Sequence, residues 1–172
     1  MLNSISQYGQ AITSQTERQN VLVVLNAIGD RMASQALSSA GFAIKAAAGV
    51  LVKTGAATTY AIANNRLLSI AAATDMPALV GAVTNATFNV FVFYVDQTNT
   101  RTTAMGTAAS TLAGVRFPDT PVGKAILGFI VVNPTGTGNF VGGTTALDDA
   151  TVVPNVAYIN TQGAFDPTIV LS

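Results

Sequence analysis

The sequence predicts a mainly β fold, an antiparallel β-sandwich or barrel-like domain carried behind an N-terminal helical arm. Three observations predict it. Apolar residues over positions 21–32 recur with the 3.6-residue period of a helix. Past Gly41 the period shortens towards two. From there on, short runs rich in β-branched and aromatic residues alternate with Gly, Pro, Asn and Asp, as in domains built of many short strands. At 172 residues the chain has the length of one domain with an appendage, enough to bury roughly 70% of its unfolded surface. The expected division is an arm and amphipathic helix over residues 1–40 and a β-rich domain over residues 41–172.

The arm opens with Leu2, Ile5 and Ile12, sparse apolar positions in a Ser- and Gln-rich background. Such a segment reads as a weak helix or as an extended arm that orders against a neighbour. Ser14 followed three residues later by Glu17 makes a capping box, so a helix is expected to start near Gln15. Val21, Val24, Leu25, Ile28 and Met32 then follow i, i+3, i+4, i+7 spacing and form one apolar stripe. Ser38, Ser39, Ala40 and Gly41 are expected to end the helix. One helix of this kind cannot bury its stripe alone. It must pack on the domain that follows or on copies of itself.

Residues 42–44, 49–54, 58–63 and 66–71 read as a β-meander. Its turns fall at Gly55-Ala56 and at Asn64-Asn65, where amide side chains tolerate left-handed φ. Pro77, at a first helical position, suits a short helical turn over residues 78–80. Residues 88–95 form the strongest strand: every position except Asn89 is β-branched or aromatic, so both faces are expected to be buried. Residues 96–99 turn this strand into its partner at 100–105, and Pro118 and Pro121 bracket a loop. Residues 125–132 read as a second buried strand. Short strands around Phe140, Tyr158-Ile159 and Ile169-Val170-Leu171 complete the domain.

Charge is scarce. Eight Lys and Arg balance eight Asp and Glu, 9% of the chain, where soluble domains carry about 25%. There is no Cys, His or Trp, and Glu17 is the only glutamate. That composition offers no disulfide, no thiolate nucleophile, no Ser-His-Asp triad and no imidazole base or metal ligand. Scattered Lys and Arg at zero net charge carry no nucleic-acid or anionic-membrane footprint. A net charge near zero promotes association, and a surface of neutral hydrogen-bonding groups suits a subunit covered in an assembly.

Two stretches without charge, residues 76–95 and 125–147, have the length of a membrane span. Pro77, Gly81 and Asn85 interrupt the first, and Asn133, Pro134, Gly136 and Gly138 the second, so both read as strand, turn and strand. The amino terminus has no basic n-region, so no signal peptide is expected. Residues 136–145 are glycine-rich but lack the Gly-Lys-Ser/Thr ending that meets phosphates, and read as a loop and tight turn flanking Phe140. Asp148-Asp149 is the only adjacent carboxylate pair; strand neighbours point to opposite faces, so the pair marks a turn or a helix start before Ala150. Phe91, Phe93, Tyr94 and Phe129 are assigned to the core, and Tyr60 and Tyr158 to an interface, where tyrosine is favoured. No catalytic, cofactor-binding or metal-ligating residue is assigned.

The carboxy-terminal half carries a resemblance. The stretch Phe117-Pro118 to Gly128, with the pattern F-P-x-x-P-x-G-K-A-x-x-G, and the stretch Phe140-Val141 to Leu147, with the pattern F-V-x-G-T-T-x-L, follow the apolar strand 88–95 and its Thr-rich return. In that order they resemble virion structural proteins of tailed bacteriophages, over roughly residues 49–165. The resemblance implies a non-enzymatic β-rich module, usually a homotrimer, attached to the particle by another segment, and it brings no catalytic residues and no cofactor. The expectation is a capsid decoration or cement protein of the virion, assembled in the host cytoplasm. Its partners would be the major capsid protein or other virion proteins, with no nucleic acid and no membrane. Leu2, Ile5, Ile12, Val21 and Leu25 are the expected attachment residues. The alternative is a head-fibre or tail-fibre module that binds a host surface glycan.

Overall fold

A computed structural model of the chain describes residues 14–172. Among the described residues one helix, α1 (Gln15–Ala33), precedes eleven strands. These are β1 (Gln35–Ala36), β2 (Ala43–Ile44), β3 (Val52–Lys53), β4 (Thr59–Ala63), β5 (Arg66–Ile70), β6 (Ala82–Val83), β7 (Asn89–Val95), β8 (Arg101–Met105), β9 (Ala125–Asn133), β10 (Phe140–Val141) and β11 (Asn155–Asn160). A single 3-10 turn, Leu112–Gly114, lies between β8 and β9. The fold is mainly β and its pairings are antiparallel, as the sequence predicts. The sheets among the described residues stay open, so the barrel-like alternative is not the form taken.

The central sheet runs β11-β9-β7-β8. β7 is its spine because all seven of its residues are buried. Strand alternation sends Phe91, Phe93 and Val95 to one face and Val90, Val92 and Tyr94 to the other. The first face is covered by the β1-β4-β5 sheet, the β2-β3 hairpin and the long-range β6-β10 pair, through Ala61, Leu68, Ile70, Val52, Val83 and Phe140. The second face has no opposing sheet. Val115 and Phe117 from the β8–β9 connection and Phe165 and Leu171 from the carboxy-terminal segment cover it. Phe117, Phe129 and Phe165 close that layer as a ring triad with centroids 4.8, 5.3 and 5.6 Å apart, spacings at which edge-on aromatic contacts are favourable.

β9 serves both layers only by changing phase. Ala125 and Leu127 face the first cluster, and so do Ile130 and Val132, two sets of opposite parity. A bulge opposite Phe93/Tyr94 inserts the extra residue. Gly128 makes it possible: its φ is +151°, and a Cβ there would lie 2.3 Å from the Ile159 carbonyl oxygen. A side chain fits neither the conformation nor the space.

Four expectations are corrected. α1 ends at Ala33 rather than at residues 38–41, since Ser34 is extended and its hydroxyl accepts from the Asn64 N–H at 3.0 Å. The chain just beyond pairs as β1 with β4, and Ala36 and Ala40 enter the core. The meander is instead two hairpins in separate sheets, since the outer neighbour of β4 is β1 and not β3. Residues 77–80 are not helical: a bridge from Lys53 to Asp75 and the Met76 N–H to the Val52 carbonyl hold the approach extended, and Leu79 is buried there. Residues 169–171 form no strand; the Asp166-Pro167-Thr168 turn precedes them, and Leu171 packs on the second cluster from irregular backbone.

The Asn64-Asn65 turn is as expected, with φ of 48° and 61° at its two centres, the twist that suits a two-residue hairpin. Both apolar stretches of membrane-span length are strand and turn, and no described helix is long and apolar enough to cross a membrane.

Candidate functional site: a helix held at its last turn

α1 begins as its sequence dictates. The Ser14 hydroxyl accepts from the Glu17 N–H at 3.1 Å, and the Glu17 carboxylate accepts from the Ser14 N–H at 3.3 Å. This reciprocal pair satisfies two of the donors that a helix start leaves open. The other end is fastened to the β body. Asp30 accepts from the Gly123 N–H at 2.8 Å, Arg31 pairs with Asp166 at 3.2 Å, and the Ala33 carbonyl accepts from the Asn65 N–H at 2.9 Å.

At about 100° per residue, Asp30 lies opposite Val21 on the helix, and Val21, Leu25, Ile28 and Met32 share one side. The Asp30 tie therefore lies across the helix from this stripe and the Arg31 tie on its flank, while Val23, on the Asp30 side, is exposed too. No residue of α1 is buried, and Val21, Leu25, Ile28 and Met32 are 41, 56, 50 and 67% exposed. Leu22 and Val24 flank this stripe and are exposed as well. Burying one such side chain fully contributes about 1.5–3 kcal/mol, so a continuous stripe left in water marks a surface that associates.

The other expected interface residues are dispersed. Leu2, Ile5 and Ile12 lie outside the described residues. Val21 and Leu25 sit on the exposed stripe of α1. Tyr60 stands exposed on β4, where its N–H donates to the Ser38 hydroxyl at 2.8 Å. Tyr158 is half-buried on β11 against the first core cluster, and burial together with the Asp148 carboxylate pushes its phenol up from 10.0. The structure groups Val21 with Leu25 and leaves the two tyrosines on separate sheets.

A cleft of about 560 Å³ lies beside the helix tether, lined by Arg31, Arg116, Asp119, Thr120 and Thr168 among others. The Tyr94 hydroxyl is buried without a hydrogen-bond partner, and its pKa is pushed up to about 12 by burial first and by the charge of Asp119, a residue of the cleft lining, second. A phenol held protonated in that way donates hydrogen bonds and does not act as a base. The Thr120 hydroxyl oxygen is likewise buried and unpartnered. Among the described residues no three acidic side chains come together in a group that could hold a metal ion.

Three turns share a pattern that the sequence reading passed over. Asp96-Gln97-Thr98, Asp149-Ala150-Thr151 and Asp166-Pro167-Thr168 each fold the Asp Oδ1 onto the Thr N–H at 2.8–3.0 Å and the Thr hydroxyl at 2.6–2.8 Å. The Thr hydroxyl is the main cause that lowers the Asp96 and Asp149 carboxyls below 3.8, and for Asp166 the Thr168 N–H comes first. The signal was present as a D-x-T spacing, in which Asp accepts from its own backbone two residues on. The third of these turns also supplies the Asp166 oxygen that receives Arg31. Asp30 and Arg31, the tether itself, carry no local signal of that kind, since their partners lie 93 and 135 residues away.

No family model, curated protein or solved structure matches this chain.

Proposed function

We propose that this chain is a structural subunit of a tailed-phage virion, a decoration or cement protein that binds the head shell through its arm and β body. One observation carries the reading: the apolar residues of α1 stand exposed, and the β body ties the helix at its last turn through Asp30 and Arg31 without covering them. A helix presented in this way reaches towards another molecule. The composition supports the same role. Exposed positions rely on Ser, Thr, Asn and Gln, with only 9% charged residues, so contacts through hydroxyls, amides and bridging water depend weakly on salt. The likeness of the 117–128 and 140–147 stretches to virion proteins gives the particle its identity. The role requires no catalytic residue and no cofactor.

The test is co-sedimentation of the purified chain with undecorated heads. The full chain is expected to pellet with the heads at low and at high salt. Deleting residues 1–15 is expected to abolish pelleting while the β-sheet circular dichroism persists. A truncated protein that still decorates the heads contradicts the role given to the arm. A full chain that ignores heads and labels host cells instead points to glycan recognition by a fibre module.

A further inference from the structure

We infer that β11 is a docking edge that takes an extended segment of a head-shell subunit as an added strand. The inference rests on the decoration reading and names the contact that its β body makes.

The ladder register is the first argument. β11 is one edge of the central sheet, and β9 is its strand partner there. The Thr161 N–H donates to the Leu127 carbonyl at 3.3 Å, continuing the register that sets Ile159 opposite Phe129 and Ala157 opposite Val131. Bonded and non-bonded pairs alternate along an antiparallel ladder. Asn155, Ala157 and Ile159 therefore bond to β9, and Val156, Tyr158 and Asn160 turn their backbone N–H and C=O groups outward. Among the described residues nothing bonds to these outward groups. Their recurrence at every second residue is the pattern that an extended backbone matches.

The lack of protection is the second argument. Exposed sheet edges are normally blunted by charge, proline, bulges or a covering segment, and the other edges of this body are. β8 carries Arg101 and β5 carries Arg66, and the Ser69 carbonyl of β5 accepts from the Asn99 amide at 3.1 Å. The Ala36 carbonyl of β1 accepts from the Gly163 N–H at 2.7 Å. β11 has no charged residue, no proline and no irregularity in its register.

The adjoining surface sets the chemistry of the occupant. Ala157 is exposed and lies on the same face as Val131, its partner across the ladder. A cleft of about 540 Å³ lies on that side, lined by Phe88, Leu112 and Val131 together with the first residues of β11. An incoming residue opposite Ala157 projects to this face. The small Ala157 side chain leaves room for a longer one to lean across it towards the cleft. The occupant is thus an uncharged extended segment with Leu, Met or Phe at that position.

The experiment uses the full chain and undecorated heads, read by co-sedimentation and by hydrogen exchange of the fragment spanning β11. In the chain alone the Val156, Tyr158 and Asn160 amides are expected to exchange fast, and those of Ala157 and Ile159 slowly. Heads are expected to slow the first three. Val156→Pro removes an outward N–H that β9 does not use, at the kind of edge position where proline is tolerated. It is expected to weaken pelleting by about tenfold or more, whereas Val156→Ala keeps the N–H and should pellet as the wild type does. Ala157→Lys, at an exposed position, sets a charge on the edge and should weaken pelleting by about as much at an unchanged urea midpoint. Heads that pellet the chain but leave the three amides fast overturn the inference and leave the decoration reading intact. An Ala157→Lys variant that binds normally does the same, as do Val156→Pro and Val156→Ala variants that weaken equally. Slowing of the three amides in the chain alone as its concentration rises gives the edge to a second copy, and overturns the inference too. A full chain that does not pellet at all overturns the decoration reading and the inference with it.

Discussion

β7 and residues 21–28 of α1 are both apolar runs, and they have opposite fates. Every residue of β7 is buried, whereas none of α1 is. Hydrophobicity alone does not separate them. β7 has hydrogen-bonded neighbours on both edges and a cluster on each face, so its side chains are enclosed by the chain's own topology. α1 precedes the sheets and is tied to them by polar contacts in its last turn and just beyond. The lesson is that an apolar run becomes core when the fold returns to it from both sides, and becomes a contact surface when the fold holds it at one end and leaves its length exposed.

Substitutions should divide along that line. The largest effect is expected within the β7 layers: Phe93→Ala removes a fully buried ring in contact with Phe42 at a 4.8 Å centroid distance. It should cost about 3–5 kcal/mol of unfolding free energy, measured as a shift of the urea midpoint at unchanged slope. Gly128→Ala should follow at about 2 kcal/mol or more, since the new methyl meets both a disfavoured φ and the Ile159 carbonyl. If Gly128→Ala unfolds at the wild-type midpoint, β9 does not need its bulge. In α1 the magnitudes shrink. Ser14→Ala removes the capping hydroxyl and should cost about 1 kcal/mol of helix stability. Gly29→Ala, at a position with nothing within 4 Å of the added methyl, should raise helicity by about 0.5–1 kcal/mol. Both are read from the helical circular dichroism signal, and neither should move the β-sheet midpoint.

The smallest effect is the response to acid. Asp96, Asp149 and Asp166 have folded pKa values lowered below 3.8 by Thr hydroxyls and backbone N–H groups. Their stabilisation is fully present above the unfolded value and is lost as pH falls through the lowered folded values. The urea midpoint should therefore hold from neutral pH to about 4 and decline below it. Asn at all three positions should flatten that decline, and an unchanged acid limb would place the acid sensitivity elsewhere.

The contrast between the two regions also decides how much was legible beforehand. β7 was legible because seven consecutive enclosed positions leave a run with almost no polar interruption, and the start of α1 because Ser14 and Glu17 satisfy a local rule. The stripe of α1 was legible as a stripe, but not which way it faces. That direction depends on Asp30 meeting Gly123 and Arg31 meeting Asp166, contacts separated by 93 and 135 residues. The pairing of β1 with β4 was hidden because a two-residue strand has no period to read. The phase change in β9 was hidden because Leu127-Gly128 looks like an ordinary part of an apolar run. The D-x-T turns were fully local and could have been found from spacing alone.

Hydrogen exchange with and without undecorated heads tests the central claim most directly, because it reports on both regions in one sample. The β7 amides should be protected equally in both, since their partners lie in the same chain. The amides of residues 21–32 should exchange rapidly in the chain alone and slow when heads are added, with Ile28→Asp abolishing that slowing. Protection of α1 that is strong without heads and unchanged by them would contradict the account, and would show that this chain covers its own helix.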